Sequence, residues 1–366
     1  MSVYARKTKR QNYTDVLITD NFFKKEALLK LIADSSEYHD WDKFLNLSRP
    51  IDDSADLKPS FRKKIMRRIK WFPMIRIIYN KLLLRAQSEY AQKYAEVLRE
   101  KLGDVIQEKV ELHLLTQTAL NDPLQKLFPA AKVSFFEHGM GDYFYVLKDN
   151  FGKGDFYCVF ADLLRRDLQR KQLSNEFVHS FIDADEFEKA IIFAGRSCLE
   201  ACQSIYRSEK KYILFLMDCS EIYHPPEHFW EDYVKRCLQE VERPEDFCWL
   251  VKPHPNQSNG ALEKTKNYFL NSGLDVIFLD DPKFVSLSAE FLFITFKDRV
   301  DSVFTTFSSA IFYLSHFYPQ TAKYYLLYDF VGQYFSKAPK QYLEIFHGLN
   351  EFYTGMFAGL PLRRIQ

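Results

Sequence analysis

Short apolar runs alternate along the chain with longer stretches in which apolar residues recur every three to four positions. The short runs have the length and the β-branched and aromatic composition of strands, whereas the longer stretches have the period of helices. This alternation is typical of α/β proteins with parallel sheets. The predicted strands are 13–19, 43–47, 110–116, 132–136, 212–217, 247–252, 276–279, 302–306 and 324–328, and the predicted helices are 24–33, 59–101 with a break at Pro73, 122–128, 185–206, 227–241, 261–270, 287–294, 308–317 and 338–357.

Two such series follow one another in a chain of 366 residues, which is long enough for two domains. We predict an N-terminal Rossmann-like domain over residues 1–185 and a C-terminal Rossmann-like domain over residues 186–366, facing each other across a central cleft. The last helix is expected to cross back to the first domain. A ligand in such a cleft contacts the loops at the carboxyl ends of the strands, so residues that directly follow strands are the candidates for chemistry.

Composition and charge exclude several classes of protein. Hydrophobic residues make up 47% and charged residues 27%, as in an ordinary soluble globular protein. The 50 Lys and Arg against 49 Asp and Glu leave a net charge of +1, which does not favour a nucleic-acid partner. The six cysteines form no CxxC pair and no zinc-ligand spacing, which favours reduced thiols in a cytoplasmic protein without bound metal.

Neither a signal peptide nor a membrane span is expected. Residues 1–12 are basic and polar and lack an apolar core. Residues 302–322 carry no Asp, Glu, Lys or Arg, but they contain several hydroxyl side chains, a histidine and a proline that lipid would accommodate only at high cost. A buried strand followed by a helix accounts for this segment better.

The first candidate for chemistry follows the predicted strand 132–136. Glu137, His138 and Gly139 come directly after two phenylalanines. Desolvation at the end of an apolar strand raises the pKa of a carboxyl group, which then suits a general base. Gly139 and Gly141 permit a positive φ and the close approach of a ligand to the backbone. The alternative is a solvated turn that only ends the strand.

The second candidate follows the predicted strand 247–252. Pro253 and Pro255 flank His254, so their fixed φ angles make a stiff loop that aims one imidazole at one point. With Lys252 beside it, this imidazole suits a phosphate, because it can donate a hydrogen bond, neutralise charge or protonate a departing oxygen. A structural turn is the alternative, in which the histidine binds a backbone carbonyl.

The third candidate lies between the predicted strand 302–306 and the helix that follows it. Thr306, Ser308 and Ser309 supply hydroxyl groups at a helix N-terminus, where free backbone N–H groups and the helix dipole favour phosphate. A simple N-cap is the alternative. One further pattern has a plainer interpretation: Asp183 and Asp185 have the spacing of a metal-binding DxD motif but open an acidic helix, which favours N-capping.

Residues 61–85 form a basic segment with interleaved aromatic and aliphatic residues. Such a segment can lie on an anionic membrane surface or line a groove for a polyanionic polymer, and it can equally be the solvated face of a core helix. Peripheral association with the cytoplasmic face of a membrane is therefore an expectation for this segment. Residues 362–364, with two arginines, could add to it.

The order of these motifs resembles that of bacterial sialyltransferases and polysialyltransferases of the GT-B type. Those families carry an acidic-acidic-Gly motif in the first Rossmann-like domain, and a His-Pro motif and a Ser/Thr motif in the second. The resemblance implies a GT-B-like fold and an inverting, metal-independent transfer of sialic acid from a CMP-sugar to a surface glycan such as capsule or lipooligosaccharide.

The resemblance also implies roles for individual residues. Glu137 matches the general base that deprotonates the acceptor hydroxyl, and His254 matches the histidine at the phosphate of the CMP leaving group. Pro255 holds that histidine, and Ser308 and Ser309 contact the same phosphate. The candidate catalytic residues are Glu137, His138 and His254, and the candidate donor-binding residues are Gly139, Lys252, Pro255, Thr306, Ser308 and Ser309.

The chain departs from the acidic motif at its second position, where His138 replaces a carboxylate. Either Glu137 or His138 is therefore the base, and Kdo or another nonulosonic acid is an alternative to sialic acid. A His-Gly pair with a later Lys-Pro-His-Pro also looks like CDP-glycerol or CDP-ribitol phosphotransferases of the teichoic-acid type. A non-catalytic assembly protein for capsule synthesis with a degenerate GT-B fold is the alternative outside enzymes.

Overall fold

The computed structural model describes most of the chain from residue 110 onwards and short stretches before it. The described residues are 16–20, 43–47, 92, 95, 96, 98–100, 102, 110–115, 121–137, 139–149, 154–207, 209–218, 226–254, 257–285, 287–334, 347, 348 and 350–365. The predicted break at Pro73 and the basic segment 61–85 lie outside the described residues, as do His138 and Pro255.

Contacts divide the described chain into two compact units. The first contains the described residues up to Glu137 together with 154–157, and the second contains 139–149 and 158–365. The domain boundary that the sequence predicts between residues 185 and 186 stays a prediction.

The first unit is built on parallel strands. Val16 to Asp20 of β1 pair in register with Lys43 to Leu47 of β2, and β4 pairs with both β3 and β5. These elements are β1 (Val16–Asp20), β2 (Lys43–Leu47), β3 (Glu111–Leu115), α1 (Asn121–Leu127), β4 (Lys132–Phe136) and β5 (Asp155–Cys158), whose last residue belongs to the second unit.

The second unit contains a six-stranded parallel sheet in the order β12-β11-β10-β7-β8-β9. Its strands are β7 (Lys211–Leu216), β8 (Phe247–Lys252), β9 (Asp275–Phe278), β10 (Val300–Thr305), β11 (Lys323–Leu326) and β12 (Leu362–Arg364), and a further short strand is β6 (Val178–Ser180). Its helices are α2 (Met140–Asp149), α3 (Ala161–Arg170), α4 (Ala184–Gly195), α5 (Leu199–Ser204), α6 (Phe229–Gln239), α7 (Asn259–Asn271), α8 (Pro282–Val285), α9 (Ala289–Phe296), α10 (Ala310–Phe317) and α11 (Tyr328–Gly332), with 3₁₀ turns at Arg196–Cys198, Pro244–Asp246 and Lys297–Arg299.

The central strands of this sheet are almost continuously apolar because helices cover both faces of a parallel sheet. In β7 and β8 every residue after the first is buried, and the Trp249 ring lies 5.7 Å from that of Phe269 and 6.1 Å from that of Phe304. The predicted α/β class with parallel sheets is therefore confirmed. The uncharged segment 302–322 forms most of β10, α10 and the start of the next loop, as expected.

The C-terminal residues of the chain pack on residues from its first half. The ring of Phe357 lies 6.0 Å from that of Tyr143 and 5.0 Å from that of Phe160, and Phe352 lies 6.5 Å from Tyr143. Tyr143 and Phe160 precede residue 186 in the chain, but they belong to the same compact unit as the C-terminal residues, and the predicted crossing of the last helix to the first domain stays a prediction.

Residues 362–364 have a structural place that the sequence did not predict. They form β12, which pairs with β11 at the edge of the sheet. Arg364 donates to both carboxylate oxygens of Asp329 and to Asn350, and Arg363 donates to the Tyr325 hydroxyl at 3.1 Å. No helix within the described ranges is both long enough and apolar enough to cross a membrane.

Candidate active site

Three parallel strands of the second unit bring predicted site residues to one edge of the sheet. Leu216 at the end of β7 is in register with Lys252 on one side and with Thr305 on the other. Because neighbouring strands lie about 4.8 Å apart, Lys252 and Thr305 are roughly 10 Å from each other along this edge. His254 follows the strand that ends at Lys252, β8, and Ser308 follows the strand that ends at Thr305, β10.

This edge also contains the topological switch point of the sheet. From β7 the chain builds β8 and β9 on one side, and then continues with β10, β11 and β12 on the other. Loops that leave β7 and β10 at their carboxyl ends therefore diverge, and ligands of open α/β sheets bind in the resulting crevice.

A buried carboxylate that the sequence interpretation missed lies in this crevice. Asp218 follows β7 and is only 7% exposed. One of its oxygens, Oδ2, accepts hydrogen bonds from the Thr305 hydroxyl at 2.8 Å, the Thr306 N–H at 2.9 Å and the Phe307 N–H at 2.8 Å, and also from the Thr306 hydroxyl. The signal was available, because Asp218 is the first charged residue after an apolar strand.

The turn after β10 is therefore bound to the end of β7. Thr305 Oγ1, which donates to Asp218, accepts the N–H of Ser308 at 3.1 Å. Both polar groups of Thr306 that were expected to face a donor are bound to Asp218, and its contact with a donor stays a prediction. Ser308 and Ser309 are half-buried and open α10, and the Ser309 hydroxyl makes no capping hydrogen bond.

Lys252 is buried and bonded to the main chain rather than exposed beside the histidine. Its ammonium group donates to the carbonyl of Pro253 at 3.3 Å and to that of Val285 at 3.2 Å. The cation also lies near Glu290 of α9. Burial raises the pKa of Glu290, and this effect outweighs the lowering by the Ser288 hydroxyl and by the Lys252 charge. Lys252 thus stabilises the loop that carries His254.

His254 lies in the turn between β8 and α7 and is half-buried. Its carbonyl accepts the N–H of Gln257 at 2.9 Å, which closes a four-residue turn. The next residue, Ser258, caps α7 by accepting the Ala261 N–H at 3.2 Å. The strand, the hydrogen bond from Gln257 and the cap confine the backbone of His254, and the stiffening of the loop by its two prolines stays a prediction.

A buried tyrosine hydroxyl adjoins the same edge. Tyr233 of α6 is fully buried, and its ring packs on that of Phe215 at 4.9 Å. Burial raises the pKa of Tyr233, with further contributions from Cys237 and from the Asp218 charge. Its hydroxyl makes no hydrogen bond to the residues that the structure describes.

In the first unit, Glu137 lies directly after β4 and is completely buried. Its N–H donates to the carbonyl of Tyr157 at 3.1 Å, which extends the ladder between β4 and β5 by one residue. The Phe136 ring stacks on that of Tyr157 at 5.1 Å. Glu137 is therefore the desolvated carboxyl group at a strand end that the sequence predicted.

The two glycines do not use the positive φ that their residue type permits. Neither Gly139 nor Gly141 has a positive φ, and α2 begins at Met140, between them. A Cβ added at Gly139 would meet no atom within 4 Å, so the space beside this backbone is open. Gly139 therefore leaves room for the close approach of a ligand to the backbone.

The plainer interpretation holds for the DxD pattern. Asp183 caps α4 by accepting the N–H of Glu186 at 2.8 Å, so the DxD pattern opens a helix as predicted. Within the described part of the chain, no three metal-ligating side chains form a cluster.

A groove of about 390 Å³ lies at the opposite edge of the six-stranded sheet, among charged residues that include Lys211, Asp301 and Lys323.

Comparison with known proteins adds a family. The family model of alpha-2,8-polysialyltransferase (POLYST) matches residues 22–327, a range that contains the motifs at Glu137, His254 and Ser308. No curated protein matches the sequence.

Several solved structures match this chain at low sequence identity. UDP-GlcNAc 2-epimerase from Neisseria meningitidis bound to UDP-GlcNAc has a TM-score of 0.44 at 12% identity, with 86% of this chain and 82% of that chain covered. UDP-GlcNAc 2-epimerase from Methanocaldococcus jannaschii has a TM-score of 0.46 at 12% identity, covering 86% and 84%. A glycosyltransferase from Rickettsia africae has a TM-score of 0.40 at 12% identity, covering 87% and 80%.

These structural similarities are too distant to carry an argument about function. The match of the family model spans most of the chain, and it includes each of the three motifs that the sequence singled out. The chain therefore belongs to the alpha-2,8-polysialyltransferase family of glycosyltransferases.

Proposed function

We propose that the protein is an inverting sialyltransferase that uses a CMP-activated sialic acid, or a related nonulosonic acid or Kdo, and transfers it to a hydroxyl group of a bacterial surface glycan such as capsule or lipooligosaccharide. The family match over residues 22–327 carries this proposal. The placement of His254 and Ser308 on either side of β7 supports it, because both residues then border the crevice where α/β sheets bind nucleotides.

In the proposed reaction, the acceptor oxygen attacks the anomeric carbon of the donor from the face opposite the phosphate. A new glycosidic C–O bond forms, and the bond between the anomeric carbon and the phosphate oxygen breaks with its electron pair, so that CMP leaves and the anomeric configuration inverts. Glu137 or His138 takes the proton of the acceptor hydroxyl. Complete burial of Glu137 favours it as the base, because desolvation destabilises the ionised carboxylate and strengthens it as a proton acceptor.

The phosphate of CMP gains charge as it leaves. His254 would donate a hydrogen bond or a proton to it, and the hydroxyls of Ser308 and Ser309 would donate further hydrogen bonds at the start of α10. CMP leaves through a single phosphate, whose charge is smaller than that of a diphosphate. We therefore propose that no metal ion is required. We also propose that the reaction takes place in the cytoplasm, where residues 61–85 contact the membrane peripherally.

A donor assay tests this function. The protein is incubated with CMP-sialic acid and a sialylated oligosaccharide acceptor, and release of CMP is measured with and without EDTA. CDP-glycerol and CDP-ribitol serve as parallel donors. We expect CMP release in both metal conditions, no transfer of polyol phosphate, and inversion at the anomeric carbon by NMR. Transfer from a CDP-polyol alone would overturn the proposal in favour of a phosphotransferase.

Two variants identify the base. Glu137→Gln keeps the shape of the side chain and removes its basicity, so we expect turnover to fall about 10²- to 10⁴-fold if Glu137 is the base. His138→Gln makes the corresponding change next to it. If His138→Gln alone causes that loss of turnover, the imidazole takes the proton.

A further inference from the structure

Asp218 follows β7, but the hydrogen bonds to its carboxylate come from the end of another strand, β10, and from the loop that follows it. Its Oδ2 atom accepts two hydroxyl and two N–H hydrogen bonds, all of them from residues 305–307. Those donors lie 87 to 89 positions further along the chain. The carboxylate therefore ties together the two loops that border the switch-point crevice.

The two N–H groups that Asp218 accepts belong to successive residues, Thr306 and Phe307. Successive N–H groups that point to one oxygen form a concave anion site of the kind that elsewhere holds a phosphate. Here the chain supplies its own anion to that site. An incoming phosphate therefore has to use the next polar groups along the chain, which are the hydroxyls of Ser308 and Ser309.

A short series of hydrogen bonds connects the carboxylate to the backbone that carries those hydroxyls. The Ser308 N–H donates to Thr305 Oγ1, and the Thr305 hydroxyl donates to Asp218. The Ser308 and Ser309 carbonyls in turn accept the first N–H groups of α10, from Ile311 at 3.3 Å and Phe312 at 3.1 Å. The backbone that carries both serines is thus bonded to Asp218 on one side and to the helix on the other.

We propose that Asp218 is a positioning residue: its carboxylate fixes the turn 305–307 so that the hydroxyls of Ser308 and Ser309 are presented to the phosphate of the donor. This inference rests on the proposed function. Asp218 acts through the turn and does not touch the donor.

The test compares Asp218→Ala, Asp218→Asn and the wild type in binding CMP and cytidine. Cytidine carries the same base and ribose but no phosphate. If the variant displaces only the two serine hydroxyls, the affinity for CMP falls and the affinity for cytidine stays unchanged. For Asp218→Ala we expect the Kd for CMP and the KM for CMP-sialic acid to rise about tenfold or more, the usual order for a displaced binding group. Asp218→Asn keeps one acceptor oxygen and should recover part of the affinity.

Asp301→Ala is the matched control. Asp301 is a partly buried carboxylate of the same sheet, bonded to the Ser302 hydroxyl at 2.6 Å and paired with Lys323 at 3.3 Å, but it lies at the start of β10. This variant should bind CMP like the wild type. Hydrogen exchange of residues 303–312 supplies a second readout, and we expect loss of protection there in Asp218→Ala and not in Asp301→Ala.

A second measurement removes the dependence on any one variant. In a Ser308→Ala, Ser309→Ala background, Asp218→Asn should weaken CMP binding no further, because the groups that it positions are already gone. Equal losses for CMP and cytidine, unchanged CMP affinity, or an additive effect in that background would each overturn the inference. If the wild type itself neither binds CMP nor releases it from CMP-sialic acid, the proposed function fails instead.

Discussion

The carboxyl-terminal and amino-terminal edges of the six-stranded sheet both carry Asp and Lys residues, but these residues differ in burial and in their bonding partners. At the carboxyl-terminal edge, Asp218 and Lys252 are buried and bonded to backbone groups of neighbouring loops. At the amino-terminal edge, Lys211 and Lys323 are exposed, and Asp301 is paired with Lys323. The groove of about 390 Å³ lies at the second edge.

This difference teaches that neither charge nor cavity volume identifies the more organised edge. Exposed pairs contribute little because water competes for the same charges. A buried carboxylate or ammonium group is retained at a cost and has to be matched by several hydrogen bonds. Loops held by such groups are pre-organised, which is what a site for a charged transition state needs.

The largest expected effect concerns His254. We expect His254→Ala to lower the rate of CMP release from CMP-sialic acid about 10²-fold or more while thermal unfolding is nearly unchanged. His228→Ala is the control, because His228 is an exposed histidine at the start of α6. A loss of less than about threefold at residue 254 would show that the carboxyl-terminal edge does not contain the reacting groups.

Next in size is the contrast between two lysines. Lys252→Met removes the donor to the carbonyls of Pro253 and Val285, and we expect a loss of about 1–3 kcal/mol in the free energy of unfolding, the usual cost of unsatisfied buried groups. Lys211→Met changes an exposed residue at the other edge and should alter stability little. Urea denaturation of both variants makes the comparison. Equal effects would mean that burial does not distinguish the two edges.

Two tyrosines should respond in opposite directions. Tyr233→Phe removes a buried hydroxyl that makes no hydrogen bond to the described residues, so we expect stability to rise by up to about 1 kcal/mol. Tyr324→Phe removes a hydroxyl that donates to the Tyr318 carbonyl at 2.7 Å, so we expect a loss of about 1 kcal/mol. Calorimetry measures both. A destabilised Tyr233→Phe would mean that this hydroxyl has a partner outside the described residues.

The smallest effects are those of pH. Lys297 and Tyr318 donate to Glu188 at 2.7–2.8 Å; although burial raises the pKa of Glu188, these hydrogen bonds and the Lys297 charge lower it overall. The stability from Glu188 is therefore present above its ordinary pKa and is lost as pH falls through the lowered value.

For Glu290, which lies near Lys252, the pH dependence has the opposite sign. Its pKa is raised, so the folded state favours the protonated form and stability falls as pH rises through the raised value. The free energy of unfolding is measured between pH 3 and pH 7. Glu188→Gln should remove part of the loss of stability at low pH, and Glu290→Gln should remove part of the loss of stability as pH rises. The same change in both variants would contradict the assignment of the two carboxyl groups.

Most of the sheet could be predicted because a parallel strand buried on both faces is a short apolar run, which the sequence displays directly. The helices α2 and α3 were not predicted. In α2 two glycines near the start suggested a loop, and in α3 the polar residues outnumber the apolar ones, so that only Ala161, Leu164 and Leu168 mark its buried side. Tertiary packing rather than intrinsic propensity decides such helices.

The sequence predicts where the site residues lie along the strands better than it predicts which groups they contact. Placement after strands puts His254 and the Ser308–Ser309 pair at the same end of the sheet, since parallel strands end at a common edge, and their contact with a donor stays a prediction. The bonding of Lys252 to backbone carbonyls and the role of Asp218 depend on residues 33 and 87 to 89 positions away, respectively. No local pattern contains that information.

The short strand β12 has a practical consequence for anyone who shortens or extends the chain. It covers one side of β11, whose residues Tyr324, Tyr325 and Leu326 are buried. Deleting the last five residues would leave backbone N–H and C=O groups of β11 without their hydrogen-bond partners beside aromatic side chains. An exposed strand of this kind promotes aggregation. Tags are therefore better tolerated when a spacer separates them from Arg364.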